Sequence, residues 1–268
     1  SRPHFRGRRM ISNLSFPDSA GVTVPEALVM RGGHWRAIRL AVRYARFTHS
    51  IAGPSLIDTG YSRRVTSGRR SLPLTIYNAI LRPRLTEHVL PDAAPDIRTI
   101  LLTHLHADHV SALRDYPQAR IIADLDAAQH FLKASAFTRT RHGVFRELLP
   151  PGLLDRITPV HTLAATEAPF GLGLAHDVFG DGSVLAVPLP GHMRGHTGYL
   201  FTQSDQPLLY AGDAAWLARA VRETRPPGPP ARWILDDPKA DAETTTRLNA
   251  FAEAGGRIVL CHDPEPAP

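Results

Sequence analysis

The chain has 268 residues, 43% of them hydrophobic and 21% charged, and 31 Lys and Arg against 25 Asp and Glu give a net charge of +6. This balance is ordinary for a globular protein, and no apolar run approaches 18 residues, so no transmembrane helix is expected. The single cysteine, Cys261, excludes an intrachain disulfide and fits a reducing cytoplasm, where the protein is expected to work. Positive charge raises nucleic acid as a partner, but Arg36, Arg39, Arg43 and Arg46, then Arg63, Arg64, Arg69 and Arg70, are scattered without interleaved aromatics. A nucleic-acid partner is therefore not expected.

Residues 1–25 read as an irregular N-terminal extension, because Pro3, Pro17 and Pro25 interrupt any periodicity. Its basic first residues lack a following apolar stretch and do not read as a secretory signal. Residues 26–268 read as one domain. Within Ala37 to Phe47, Ile38, Leu40, Val42 and Tyr44 alternate as in a strand, while the four arginines from Arg36 to Arg46 fall on a helical stripe. The turn Ala52-Gly53-Pro54 before Ser55-Leu56-Ile57 decides for a hairpin. Arg63 to Pro95 is a long connection with a helix around Thr75 to Leu81, of the kind that covers or shapes an active site. A strand ending at Leu102 follows, then a short helix over Ser111 to Tyr116 and a strand over Ala119 to Ala123. Leu125 to Ala134 is an amphipathic helix with Asp124 near its N-cap. Asp181-Gly182 predicts a two-residue hairpin between strands at 176–179 and 184–187. Strands at Gly198 to Thr202 and Leu208 to Ala211 flank a turn at Asp205 to Pro207. Arg225-Pro226-Pro227-Gly228-Pro229-Pro230 is a stiff loop, and Asp241 to Ala254 is a helix stopped by Gly255. Clustered strands followed by helices give an α/β fold with mixed sheets.

Chemistry concentrates in Thr103-His104-Leu105-His106-Ala107-Asp108-His109-Val110, which places three imidazoles and a carboxylate within six positions after an apolar run. Imidazole nitrogen and carboxylate oxygen are ligands of Zn²⁺, Fe and Mn, and burying four such groups without partners is costly. Further donors close other strand-like runs: His192 and His196 in Pro190 to Thr197, Asp213 in Ala211 to Ala215, and His262 in Leu260 to Glu265. Leu56-Ile57-Asp58-Thr59-Gly60 has the same strand-acid-glycine shape. Strand ends are the usual address of a site built on a rigid sheet. Cys261 beside His262 reads as a small buried apolar residue, since adjacent strand residues face opposite sides.

This order of motifs, from about Ala41 to Asp263, resembles the metallo-β-lactamase superfamily. The Asp-Thr-Gly, the PGHxxGH turn and the closing His-Asp-Pro-Glu look most like its N-acyl-homoserine lactonases. The resemblance implies a four-layer αββα sandwich with metals at one edge. It implies two divalent cations, Zn²⁺ by default with Mn or Fe allowed by the same ligand types. One would be held by His104, His106 and His192, the other by Asp108, His109 and His262, with Asp213 bridging. His196 is implied as structural, and Asp58 as a residue that orients a ligand. A water bridging two such cations loses its proton near neutral pH and becomes a nucleophile, and Asp108 beside it can carry a proton to the leaving oxygen.

The implied activity is hydrolytic opening of a lactone or ester, with an N-acyl-homoserine lactone as the specific small-molecule substrate. Competing readings are a phosphodiesterase or nuclease, motivated by the positive charge, and another small-molecule hydrolase acting on a thioester or β-lactam. A homodimer is left open. In the lactonases a tyrosine commonly follows the bridging Asp by three residues; here that position is Trp216, whose indole donates one hydrogen bond but cannot act as a phenol. Trp216 is expected to wall an acyl chain. Substrate choice is assigned to the segments 61–95 and 135–175, which carry no motif.

Overall fold

The computed structural model describes residues 9–203, 206–229 and 231–267. Its strands are β1 (Ile11–Ser15), β2 (Asp18–Pro25), β3 (Ala37–Arg43), β4 (Ala45–His49), β5 (Gly53–Ile57), β6 (Arg84–Leu85) and β7 (Thr99–Leu101). They continue with β8 (Arg120–Ala123), β9 (Ile157–Pro159), β10 (Ala165–Ala168), β11 (Gly173–Asp177), β12 (Val184–Pro188), β13 (Thr197–Phe201), β14 (Leu208–Tyr210) and β15 (Arg257–Val259). One six-stranded sheet has the order β1-β4-β5-β7-β8-β9 and a second the order β10-β11-β12-β13-β14-β15. A small third sheet, β3-β2-β6, lies beside them.

Two facing layers of side chains make the centre of the molecule. Phe47, Ile57, Leu101 and Ile122 from the first sheet pack with Val184, Tyr199, Tyr210 and Val259 from the second. The opposite face of the first sheet, through Leu56, Ile100 and Ile121, buries Phe131 of the helix Leu125–Lys133. The opposite face of the second, through Leu185, Leu200 and Leu209, buries Leu248 and Phe251 of the helix Pro238–Glu253. Helix, sheet, sheet, helix is the expected αββα sandwich, with the small third sheet as an addition to it. β5, β7 and β8 are parallel and apolar on both faces, as covered parallel strands must be. Among the described residues no helix is long and apolar enough to cross a membrane.

Several sequence expectations need correction. Residues 11–25 are two strands, β1 pairing with β4 and β2 with both β3 and β6. Pro17 lies between these strands and Pro25 ends the second, so the prolines bound the strands instead of forbidding them. The first eight residues lie outside the described ones. The alternating run Ala37 to Phe47 is not one strand: Tyr44 divides it, β3 joins the third sheet and β4 pairs with β5 in the expected hairpin. The turn around Asp181-Gly182 is longer than two residues, because β11 ends at Asp177. The Asp177 carboxylate accepts from the backbone N–H groups of Phe179, Gly180 and Gly182, which fixes a wider loop. The helix expected around Thr75 to Leu81 starts at Leu72, capped by Ser71. The one expected over Ser111 to Tyr116 is a turn of α-helix at Ala107–Val110 and a 3₁₀ turn at Leu113–Asp115. Asp205 of the second expected turn, and Pro230 of the proline loop, lie outside the described residues.

Candidate metal centre

The parallel pairs β5–β7 and β14–β15 bring four carboxyl-terminal strand ends to one edge of the sandwich. Asp58 leaves β5, His104 and His106 leave β7, Asp213 leaves β14 and His262 leaves β15. His106 is extended (φ −64°, ψ 154°) at the start of the helical turn Ala107–Val110, so Asp108 and His109 ride that turn back toward His104. The fifth contributor, His192, follows β12 in the glycine turn at 191–195. Two glycines permit the close approach. A Cβ on Gly212 would lie 3.0 Å from His196 Nε2 and one on Gly191 would lie 2.3 Å from backbone atoms of Asp241, and both glycines have positive φ.

Two groups of donors result, each with ligand atoms within 4.8 Å of one another: His104, His106, His192 and Asp213, and His109, Asp213, Cys261 and His262. In the first, His106 Nδ1 is 2.9 Å from His104 Nε2 and 3.1 Å from His192 Nε2. Asp213 Oδ2 lies 3.4 Å from His192 Nε2 and 4.0 Å from His104 Nε2. In the second, Asp213 Oδ2 is 3.1 Å from His262 Nε2 and Asp213 Oδ1 is 3.3 Å from His109 Nε2. Asp108 Oδ2 stands 3.3 Å from His262 Nε2 and 3.8 Å from His109 Nε2. A tetrahedral cation with ligand bonds near 2.1 Å sets neighbouring ligand atoms about 3.4 Å apart. The residues fit such an ion. His109 Nε2 and Asp213 Oδ1 are close as an ion pair but not aligned as a hydrogen bond, and both are buried without a hydrogen-bond partner among the described residues. Such orphans are rare unless something else satisfies them.

Outer contacts fix the rings. His109 Nδ1 is 2.7 Å from Asp58 Oδ2, and both Asp58 oxygens also accept from Thr103, through its N–H and its hydroxyl. His262 Nδ1 donates to the Ala41 carbonyl at 2.7 Å, leaving Nε2 for the centre. His196 Nε2 accepts from the Asp213 N–H at 3.1 Å and is a member of neither donor group.

The charge states of the rings separate the same way. Burial, with the neighbouring imidazoles, holds His104 and His192 well below the ordinary histidine range, and burial takes His106 down to about 4 and His196 to about 3. These rings are neutral at pH 7 and keep a lone pair for a cation. For His109 and His262 burial also opposes charge, but Asp213 together with Asp58 and Asp108 around His109, and with Cys261 and Asp108 around His262, outweighs it and raises both well above the usual range. Burial opposes charge on Asp108 too, yet His109 and His262 bring it down to about 2.

Cys261 is a correction. It is fully buried, as expected, and its thiol lies 3.4 Å from the Arg43 carbonyl oxygen, but it does not face away from His262. Its Sγ belongs to the second donor group. Trp216 is buried beside the donors. It packs with Val29, Met30 and Leu40, and its ring meets His192 edge-on at 5.8 Å while lining a cavity.

That cavity, about 330 Å³, opens over the donors, with His106, Asp108, His192, Asp213 and His262 in its wall. Its other walls are mainly apolar, among them Val22, Val29, Leu40 and Ile234. The two segments without motifs supply Tyr61, Tyr77, Leu81, Arg141 and His142. The sequence marks these segments but assigns none of these side chains to the site, and His142, without a motif around it, reads there as a surface or core residue. Only Tyr61, directly after Asp58-Thr59-Gly60, stood beside a readable signal.

The profile described as "Metallo-beta-lactamase superfamily" matches residues 55–262. An N-acyl homoserine lactonase AttM of Rhizobium johnstonii is 28% identical over 171 residues, covering 63% of this chain and 59% of that protein. A hydroxyacylglutathione hydrolase of Pseudomonas entomophila is 30% identical over 128 residues, covering 47% and 36%. This chain thus spans about three fifths of the lactonase relative's length. Among solved structures, an N-acyl homoserine lactone hydrolase with N-hexanoyl-L-homoserine at its catalytic metal centre superposes with a TM-score of 0.70 at 18% identity, covering 95% of this chain and 94% of that one. A probable metal-dependent hydrolase from Staphylococcus aureus gives 0.70 at 14% identity, covering 96% and 91%. At such identities the structural likeness is one of fold. Fold, donor order and profile coincide over the same residues, and the chain belongs to the metallo-β-lactamase superfamily.

Proposed function

We propose that this chain is a dinuclear metal-dependent hydrolase that opens a lactone or ester bearing an apolar acyl chain, an N-acyl-homoserine lactone being its specific small-molecule substrate in the cytoplasm. The observation that carries this reading is a pair of donor groups sharing Asp213 at one end of a mainly apolar cavity. The lactonase relatives support the same reaction class.

His104, His106 and His192 would hold one divalent cation and Asp108, His109 and His262 the other, with Asp213 within reach of both. Two such ions, Zn²⁺ first and Mn or Fe by the same ligand types, supply Lewis acidity and lower the pKa of water toward neutrality when bound. In the reaction, water adds its oxygen to the acyl carbon, the acyl C–O bond breaks and the leaving oxygen takes a proton. Asp108, in the cavity wall, carries that proton. Asp58 keeps the His109 ring oriented through Nδ1, and His196 holds the Asp213 backbone. Trp216 and the neighbouring aliphatic side chains exclude water around the acyl chain.

Metal-loaded protein assayed on acyl-homoserine lactones, aryl esters and bis-p-nitrophenyl phosphate tests the reading. Turnover of the acylated lactones, lost in Asp108→Asn, is expected. Lactones and esters left intact would overturn it, and turnover confined to the phosphodiester would move the chain to the phosphodiesterase class.

A further inference from the structure

Tyr61 and Tyr77 stand together in the wall of the metal cavity, Tyr61 just after the β5 turn and Tyr77 on the helix Leu72–Leu81. Their hydroxyl oxygens are 2.7 Å apart and their rings meet at 6.5 Å, with Tyr77 also edge-on to Phe145 at 5.1 Å. Tyr61 is 1% exposed and Tyr77 is half-buried. The two phenols carry two hydrogens and their mutual bond uses one. Neither hydroxyl meets another acceptor among the described residues. A phenol O–H facing an apolar cavity is costly unless an oxygen accepts from it.

We propose that the Tyr61–Tyr77 pair is the hydrogen-bond donor that holds a carbonyl oxygen of the substrate in this cavity. Tyr61, the more buried partner, donates to the Tyr77 oxygen, and Tyr77 keeps its own O–H for the ligand. The inference rests on the acyl-lactone reading for the identity of that oxygen. It deepens that reading by naming a substrate-binding residue in a segment without a motif.

The test uses metal-loaded protein and N-octanoyl-homoserine lactam, an analogue that is not hydrolysed, with affinity measured by calorimetry. Tyr77→Phe keeps the ring against Phe145 and removes only the hydroxyl. It is expected to weaken lactam binding about tenfold, the usual worth of one net hydrogen bond, with metal content unchanged. Tyr77→Leu is expected to bind no worse than Tyr77→Phe, because the hydroxyl and not the ring is at stake. If Tyr77→Phe binds as tightly as wild type, or only Tyr77→Leu loses affinity, the pair is packing and the proposal falls. Lack of wild-type binding to the lactam would overturn it as well. Failure of the hydrolase reading looks different: the lactam binds and Tyr77→Phe weakens it, yet no lactone is turned over.

Discussion

In the group around His104, His106 and His192, the outer nitrogens meet little: Thr103 Oγ1 lies 2.9 Å from His104 Nδ1, and His192 Nδ1 is buried without a partner among the described residues. Around His109 and His262 each outer nitrogen is tied, to the Asp58 carboxylate and to the Ala41 carbonyl. The first group consists of neutral rings that accept a cation without giving up a proton. The second is more firmly oriented, but its two rings hold protons that a cation must displace. One centre can thus combine a group that fills readily with a group whose filling depends on pH and on outer contacts.

Removing the shared residue erases the contrast. Asp213→Ala is expected to lower metal content at both groups, read by elemental analysis, and to cut kcat/KM by roughly 1,000-fold, matching the several kcal/mol that Lewis-acid stabilisation supplies. Retention of two equivalents of metal would show that the groups do not depend on Asp213. Asp58→Ala should sharpen the contrast, weakening one metal by roughly 10- to 100-fold through loss of the His109 contact and leaving the other unchanged. Competition with a chromophoric chelator distinguishes one affected site from two.

Acidity should separate the groups without mutation. His109 and His262 have raised pKa values, so they stay protonated as pH rises through neutrality, and cation binding there releases protons. Affinity of the second group should fall about tenfold per unit of falling pH for each proton displaced, while the first changes little until pH nears the lowered value of about 4 at His106. Calorimetry in buffers of different ionisation enthalpy measures this, and equal proton release from both groups would contradict it. The smallest effect lies behind Gly191, where burial raises Asp241 to about 6 from an ordinary 3.8. A raised carboxyl favours folding below the lower value, and that contribution is lost as pH climbs through about 6. Asp241→Asn should therefore stabilise the fold by about 1–2 kcal/mol at pH 8 and not at pH 4. The roughly 3 kcal/mol of a two-unit shift is reduced because the amide is itself buried. Denaturant melts at the two pH values decide it.

The donors were legible because each chemical group follows a short apolar strand, and four of them are packed into one turn after β7. Apolar runs were enough to place His192, Asp213 and His262 after strands, while their grouping into two sets came from the family resemblance. Cys261 is buried as expected, but the opposite-face argument for it failed for a definable reason. Alternation of faces holds only within a strand, and β15 ends at Val259, so the bend that follows lets adjacent side chains reach one place. Residues 11–25 were hidden because a proline that bounds a strand looks, in sequence, like one that prevents it. Tyr77 carried no signal at all, since an aromatic on a helix reads as packing until the cavity it lines is known. The width of the loop after β11 depended on the Asp177 side chain capturing backbone N–H groups, which dipeptide preferences do not contain.

The bond from His262 to the Ala41 carbonyl, with Arg43 Nη1 donating to the Leu260 carbonyl, joins segments more than 200 positions apart. A nascent polypeptide on the ribosome can complete much of the sandwich while this last imidazole is still inside the exit tunnel. The second donor group is therefore complete only once synthesis has passed His262 and its segment can meet the strand that carries Ala41.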